Sequence, residues 1–143
     1  AMSVDVLDGI EALACGGEAA RRLGERLREH LYEGRLRLYS HWFYTTSLFY
    51  FQLPGDLHAR LTEADLVILK GDVNYRRLLG DAHWPPTTPF ERAVAYFPTS
   101  LLALRTLKAE LIVGLVPGEA ERLSREDPAW MVNGRRGVIQ GRL

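Results

Sequence analysis

Two polar clusters stand where an apolar run stops. Lys70-Gly71-Asp72-Val73-Asn74-Tyr75-Arg76 follows the branched, apolar stretch 64–69, and Arg105-Thr106-Leu107-Lys108 follows Leu101-Leu102-Ala103-Leu104. Short apolar runs of this kind read as strands, and open α/β sheets bind ligands beyond the carboxyl ends of their strands. The residue types suit an anion. Lys70, Arg76 and Lys108 can give charge-assisted hydrogen bonds to a single phosphate. A helix expected to begin near Asn74 offers unpaired amides and a positive dipole end to the same group. Gly71 permits close backbone approach or a positive φ. Asp72 is open to three roles: orienting a sugar hydroxyl, acting as general acid or base, or joining a metal site. Glycine and aspartate at such a loop also serve turns and caps by themselves, and the two lysines could simply reach for water.

Other chemistries find less support. His30, His41, His58 and His83 show no HxxxH or HxH spacing and no paired cysteines, so no metal cluster is visible in the sequence. His41, at a strand end before a run of aromatics, reads as a core or edge histidine. There is no GxSxG elbow, no GxGxxG and no Walker lysine loop. Cys15 precedes two glycines at a helix end, where the dipole gives a thiolate no support, so a reactive thiol is not expected there.

The elements that must carry the two clusters follow from periodicity. Apolar residues at near-helical spacing predict a helix over 3–14, stopped by Cys15-Gly16-Gly17. A second helix is expected over 18–33, with Leu23, Leu27 and Leu31 as its buried stripe and its charges on a wet face. Leu36 to His41 alternates like a strand, and the aromatic segment 42–51 should wall a core or a pocket. Asp56 should cap a helix over 57–63. Residues 64–69 look like a central parallel strand buried on both faces. After the Asn74 helix, closed by Gly80, the three prolines of 83–89 enforce a loop. Phe90 to Tyr96 reads as helix, 101–104 as strand, 111–115 as strand or loop, 118–125 as helix, 127–130 as a turn and 137–140 as a last strand. Strands alternating with helices give an α/β fold: a layered sheet of mostly parallel strands with flanking helices, the Rossmann-like half of a larger fold.

Length and composition bound the rest. The 143 residues, 16.2 kDa, fit one domain over 1–143. With 47% hydrophobic and 25% charged residues the chain is neither disordered nor a disulfide scaffold. Eighteen basic residues balance eighteen acidic ones, which argues against nucleic acid as a partner. No apolar run is long enough for a membrane span. A single cysteine and the lack of an opening signal sequence point to the cytoplasm. Ala1-Met2 reads either as a cloning remnant before a start codon or as native sequence.

The stretch from Ala64 to Asp81 resembles the damage-control phosphatase family, in the subfamily that carries an RTxK motif near its C-terminus. Arg105-Thr106-Leu107-Lys108 matches that motif. Trp84 with Thr88-Pro89-Phe90, the run Val113-Gly114-Leu115, Trp130 and Gly137-Val138-Ile139-Gln140 are similar too, so the resemblance covers roughly 35–140. It implies metal-dependent hydrolysis of phosphomonoesters, with sugar phosphates among the substrates and a divalent cation (Mn, Co, Ni or Mg) as cofactor. Carried over by position, Asp72, Asn74, Tyr75 and Arg76 would line the substrate pocket, Asp72 as the catalytic residue. Lys108 would bind the phosphate, with Lys70 and Arg105 beside it.

One departure bears on all of this. The family's metal is held by an Asp-Asn pair and a later Asp, which falls just before a segment resembling Ser3-Val4-Asp5-Val6; the chain holds no such pair. The expectation is therefore the C-terminal portion of a longer protein: the substrate half of a phosphatase site, inactive alone and without a tightly held metal. The expected ligand is a small phosphorylated metabolite. An unpaired sheet edge would allow a homodimer. Two alternatives stand beside it. One is a protein carboxyl methyltransferase using S-adenosylmethionine, as suggested for a relative, although four positive side chains serve a sulfonium poorly. The other is a non-catalytic sugar-phosphate-binding fragment.

Overall fold

A computed structural model describes residues 3–143, which leaves Ala1-Met2 outside the described residues. The chain divides into two compact units, one ending at Thr45 and the other running from Thr46 to Leu143.

The first unit is a helical pair, α1 (Ser3–Ala14) and α2 (Glu18–Tyr32), followed by a 3-10 turn, Trp42–Thr45. The glycines after Ala14 break the chain between the helices as expected. The packing differs from the expected leucine stripe: Leu23 is exposed, Leu27 and Leu31 are half-buried, and the buried position of α2 is Gly24. The cause is backbone contact. A Cβ on Gly24 would lie 2.6 Å from the Ala14 nitrogen, so the helices meet at the glycine and not at a ridge of leucines. An Arg28–Glu11 hydrogen bond of 2.9 Å ties the pair on its wet side. Residues 36–41, expected as a strand, alternate in burial only as far as Tyr39, with Leu36 and Leu38 half-buried, and no strand pairs with them among the described residues.

The second unit is α/β. Its elements are a 3-10 turn (Tyr50–Gln52), α3 (Gly55–Thr62), β1 (Val67–Lys70), α4 (Asp72–Leu78), α5 (Phe90–Ala93), β2 (Leu101–Thr106), α6 (Glu119–Glu126) and β3 (Gly137–Arg142). The sheet order is β1-β2-β3, with β1 parallel and β3 antiparallel to β2. The α/β class thus stands, on a small mixed sheet. The central strand is β2, and β1 is not buried on both faces: Val67 and Leu69 are half-buried while Ile68 is 56% exposed. The reason is the face that Ile68 shares: Ile139 on β3 lies on the same side of the sheet and is 77% exposed, so this side is open to solvent at both outer strands. β1 is also an edge strand, since β3 comes back along the far side of β2 and among the described residues nothing pairs with the other side of β1.

The helix boundaries shift by small, explicable amounts. Pro54 takes the cap of α3, and Asp56 sits in its first turn, where its Oδ1 accepts the Leu57 amide at 2.9 Å. α5 stops at Ala93, short of Tyr96. Residues 111–113 are buried without forming a strand.

The strand registers sort the side chains by face. Val67, Leu69, Leu101, Ala103, Arg105 and Gln140 share the inner face, and Ile68, Lys70, Leu102, Leu104 and Ile139 share the outer one. Trp130 packs with Leu107 and Ile112 into a core that seals the carboxyl end of β2.

Candidate functional site

Both polar clusters arrive at one place. A cleft of about 540 Å³ opens at the carboxyl ends of β1 and β2, lined by Lys70, Gly71, Asp72, Arg105, Thr106 and Lys108, with Leu104, Val138 and Ile139 as its apolar wall. The parallel pairing of β1 with β2 delivers this, because Lys70 lies opposite Leu104 and both chains leave the sheet on the same side. Gly71 makes the exit from β1. Its φ of 105° is strained for a residue with a Cβ, and its amide still donates to the Leu104 carbonyl at 2.8 Å.

Asp72 is the hub. Its Oδ1 accepts Arg105 Nε at 2.7 Å and the Lys108 backbone amide at 3.2 Å, joining the first cluster to the second. The Arg105 side chain is fully buried, and the Asp72 side chain is 14% exposed. Arg105 is held on every side. Its Nη2 donates to the Ala109 carbonyl at 2.9 Å, its Nη1 to the Leu111 carbonyl, and its guanidinium lies 4.5 Å from the centre of the Tyr75 ring. So engaged, Arg105 is built into the floor of the cleft and carries the loop from Lys108 to Leu111.

Tyr75 is buried beneath it. Its hydroxyl donates to Gln140 Oε1 at 2.6 Å, and burial pushes its phenol up to about 12. Asn74 is a brace: its Nδ2 donates to the Lys70 carbonyl at 2.9 Å, and its Oδ1 accepts the Tyr50 hydroxyl at 3.0 Å.

The available positive charge is on the two lysines. Lys70 and Lys108 are exposed, and neither ammonium has a hydrogen bond or ion pair among the described residues. Arg76 stands apart from them. It forms a two-pronged pair with Asp81, at 2.7 and 2.6 Å, and lines a different hollow that includes His83 and Glu110. The fold therefore unites Lys70, Asp72, Arg105 and Lys108 at one cleft, sets Asn74 and Tyr75 beneath it, and turns Arg76 elsewhere.

Gln140 has a part in this arrangement that periodicity alone does not assign. The signal is the pair at 139 and 140, where Ile139 faces out at 77% exposure and an amide takes the inward position next after Val138.

A divalent cation needs several oxygen or nitrogen donors on one centre. Among the described residues no three His, Cys, Asp or Glu side chains come together, and Asp72 Oδ1 is already committed to Arg105 and the Lys108 amide. These residues by themselves do not fit such a cation.

The comparisons agree on one family. The model of the damage-control phosphatase ARMT1-like domain matches residues 1–123. The mouse protein named damage-control phosphatase ARMT1 is 46% identical over 111 residues, which is 75% of this chain and 25% of the relative. Its human counterpart is 38% identical over 123 residues, 83% of this chain and 28% of the relative. The Xenopus tropicalis protein of the same name is 50% identical over 90 residues, 62% and 20% respectively. The chain thus spans about a quarter of the length of the curated relatives it matches.

Proposed function

We propose that this chain, which belongs to the damage-control phosphatase ARMT1-like family, supplies the phosphate-binding part of a phosphomonoester hydrolase site. Its substrate is a small phosphorylated metabolite of the sugar-phosphate class. The observation that carries the reading is that two exposed lysines, Lys70 and Lys108, line one cleft whose floor is fixed by the Arg105–Asp72 pair.

Each residue then has a distinct task. Lys70 and Lys108 bind the phosphate oxygens as charge-assisted donors. Asp72 keeps Oδ2 clear of any hydrogen bond among the described residues, so that atom accepts a substrate hydroxyl while Oδ1 holds Arg105 and the Lys108 amide. The apolar wall of Leu104, Val138 and Ile139 takes the carbon face of the substrate. The divalent cation of this reading, Mn, Co, Ni or Mg, takes its ligands from residues other than these. This chain alone neither holds it tightly nor turns over substrate. With a soluble phosphometabolite as substrate, the setting of this reading is the cytoplasm.

Calorimetric titration of this chain tests the phosphate reading. A hexose monophosphate should bind and the unphosphorylated sugar should not. Lys70→Ala and Lys108→Ala should each weaken binding roughly tenfold to a hundredfold, the worth of one charged hydrogen bond. Equal affinity in wild type and both variants would remove the site. A parallel titration with Mn²⁺ should give no tight one-site isotherm.

A further inference from the structure

We propose that Gln140 is a positioning residue of the cleft, acting on Lys108 through Tyr75, Arg105 and Asp72. The inference rests on the reading of the cleft as a phosphate site, and it adds a residue on a third strand that touches no ligand.

The contacts form one continuous path. Gln140 Nε2 donates to the Val113 carbonyl at 2.6 Å, and its Oε1 accepts the Tyr75 hydroxyl at 2.6 Å. The amide is thereby fixed at both ends. The Tyr75 ring supports the Arg105 guanidinium at 4.5 Å, Arg105 Nε meets Asp72 Oδ1 at 2.7 Å, and the same oxygen accepts the Lys108 amide at 3.2 Å. The far end of the path is the backbone of Lys108, a residue that lines the cleft.

Two features mark Gln140 as more than filler. First, β3 puts its amide inward and its isoleucine outward, the reverse of what burial favours. Second, the chain makes room for that amide: a Cβ on Gly114 would lie 2.5 Å from Gln140 Nε2, and Gly114 has a φ of 75°. An aliphatic residue at 140 would leave the Val113 carbonyl and the Tyr75 hydroxyl without their partners.

The consequence is that Lys108 is held by a network and not by its own loop alone. Its amide hydrogen bond, and the direction in which its side chain leaves, depend on whether Arg105 stays seated on Tyr75.

The test uses two variants and two readouts on this chain. Gln140→Leu removes both amide hydrogen bonds. Tyr75→Phe removes only the phenolic O–H and leaves the ring under Arg105. The first readout is hydrogen exchange of the Lys108 amide relative to the amides of β2, and the second is the affinity for inorganic phosphate followed by NMR. Lys108 exchange should rise about tenfold in Gln140→Leu with the β2 amides unchanged. Phosphate should bind roughly threefold to tenfold more weakly, the worth of one neutral hydrogen bond. The double variant should be no worse than Gln140→Leu, as expected of residues on one path. Merely structural packing would not raise exchange at Lys108 alone. Unchanged exchange and affinity in folded Gln140→Leu overturn the proposal. If that variant does not fold, unchanged values in Tyr75→Phe overturn it equally. Should wild type fail to bind phosphate while Lys108 exchange still rises, the path stands and the phosphate reading falls. Wild-type phosphate binding with no change in either variant does the opposite: the phosphate reading stands and the path falls.

Discussion

Arg105–Asp72 and Arg76–Asp81 are the same chemical pair at 2.7 and 2.6 Å, and they differ in their surroundings. The side chains of the first are 0% and 14% exposed; those of the second are 41% and 40%. The first guanidinium also serves two carbonyls and an aromatic face, whereas Arg76 donates to Asp81 alone. A buried pair is costly to break because the surviving charge is stranded, while an exposed pair competes with water and salt and is worth little. Two arginines that look alike in the sequence thus do different work. One fixes the floor of the cleft, and the other closes a turn outside it.

The largest expected effect comes from breaking the buried pair. Arg105→Met keeps an unbranched stem but removes the guanidinium, which leaves the Asp72 carboxylate without its counter-ion and the Leu111 carbonyl without its side-chain donor. It should cost about 3–5 kcal/mol in urea unfolding, a large share of what a domain of this size has. Asp72→Asn should cost less, because its amide oxygen still accepts the Lys108 N–H. If Arg105→Met costs no more than an exposed variant, the two pairs are equivalent and Arg105 is not the floor of the site.

How much of this the sequence discloses depends on how local each contact is. The helix ends at Ala14 and near Tyr32, the loop over 83–89 and the strand β2 rest on glycines, prolines and apolar runs, and all are present in the fold. The meeting of Asp72 with Lys108 is also legible, because a general rule for α/β sheets ties strand ends to ligand sites. The features that escape a sequence reading are non-local. The edge position of β1 depends on where β3 returns, and no residue in 64–69 records that. Residues 36–41 carry the sequence alternation of a strand but have no neighbour to pair with among the described residues. The tasks of Arg105 and Arg76 are indistinguishable in sequence, since burial of the first depends on Tyr75 and on carbonyls at 109 and 111. Gln140 meets Tyr75 across 65 residues, a separation that no spacing rule reaches.

The support beneath Arg105 can be probed with alkali. The Tyr75 phenol is raised by burial from 10.0 to about 12. Between those values the unfolded chain releases its proton and the folded chain does not, so stability must fall as pH rises. The slope from this one group is at most about 1.4 kcal/mol per pH unit. Tyr96, whose hydroxyl donates to the Leu78 carbonyl at 2.6 Å, is raised in the same direction by burial and adds to the slope. Denaturant midpoints between pH 9 and 11 should therefore decline more steeply in wild type than in Tyr75→Phe, with the remainder due to Tyr96. Identical slopes would mean that Tyr75 meets water in the native state, and the contrast between a sealed and an open arginine would weaken.

The smallest effect belongs to the exposed pair, and the choice of substitution matters there. Asp81 is the one described non-glycine residue with a positive φ, 51°. Asparagine tolerates that conformation, whereas alanine would add backbone strain to the lost charge. Asp81→Asn therefore isolates the ion pair. The hydrogen bond from Arg76 holds the Asp81 carboxyl below its usual value, so any contribution to stability is present above the ordinary carboxylate range and fades as pH falls through the lowered value. Because both side chains are well exposed, solvent and salt discount it to less than about 1 kcal/mol. Wild type and Asp81→Asn should unfold together in high salt and differ only slightly in low salt at neutral pH. Phosphate affinity should be the same in both, because Arg76 faces a different hollow from Lys70 and Lys108. A large loss of phosphate affinity in Asp81→Asn would show that Arg76, freed or held, reaches the cleft, and the separation drawn between the two pairs would then be wrong.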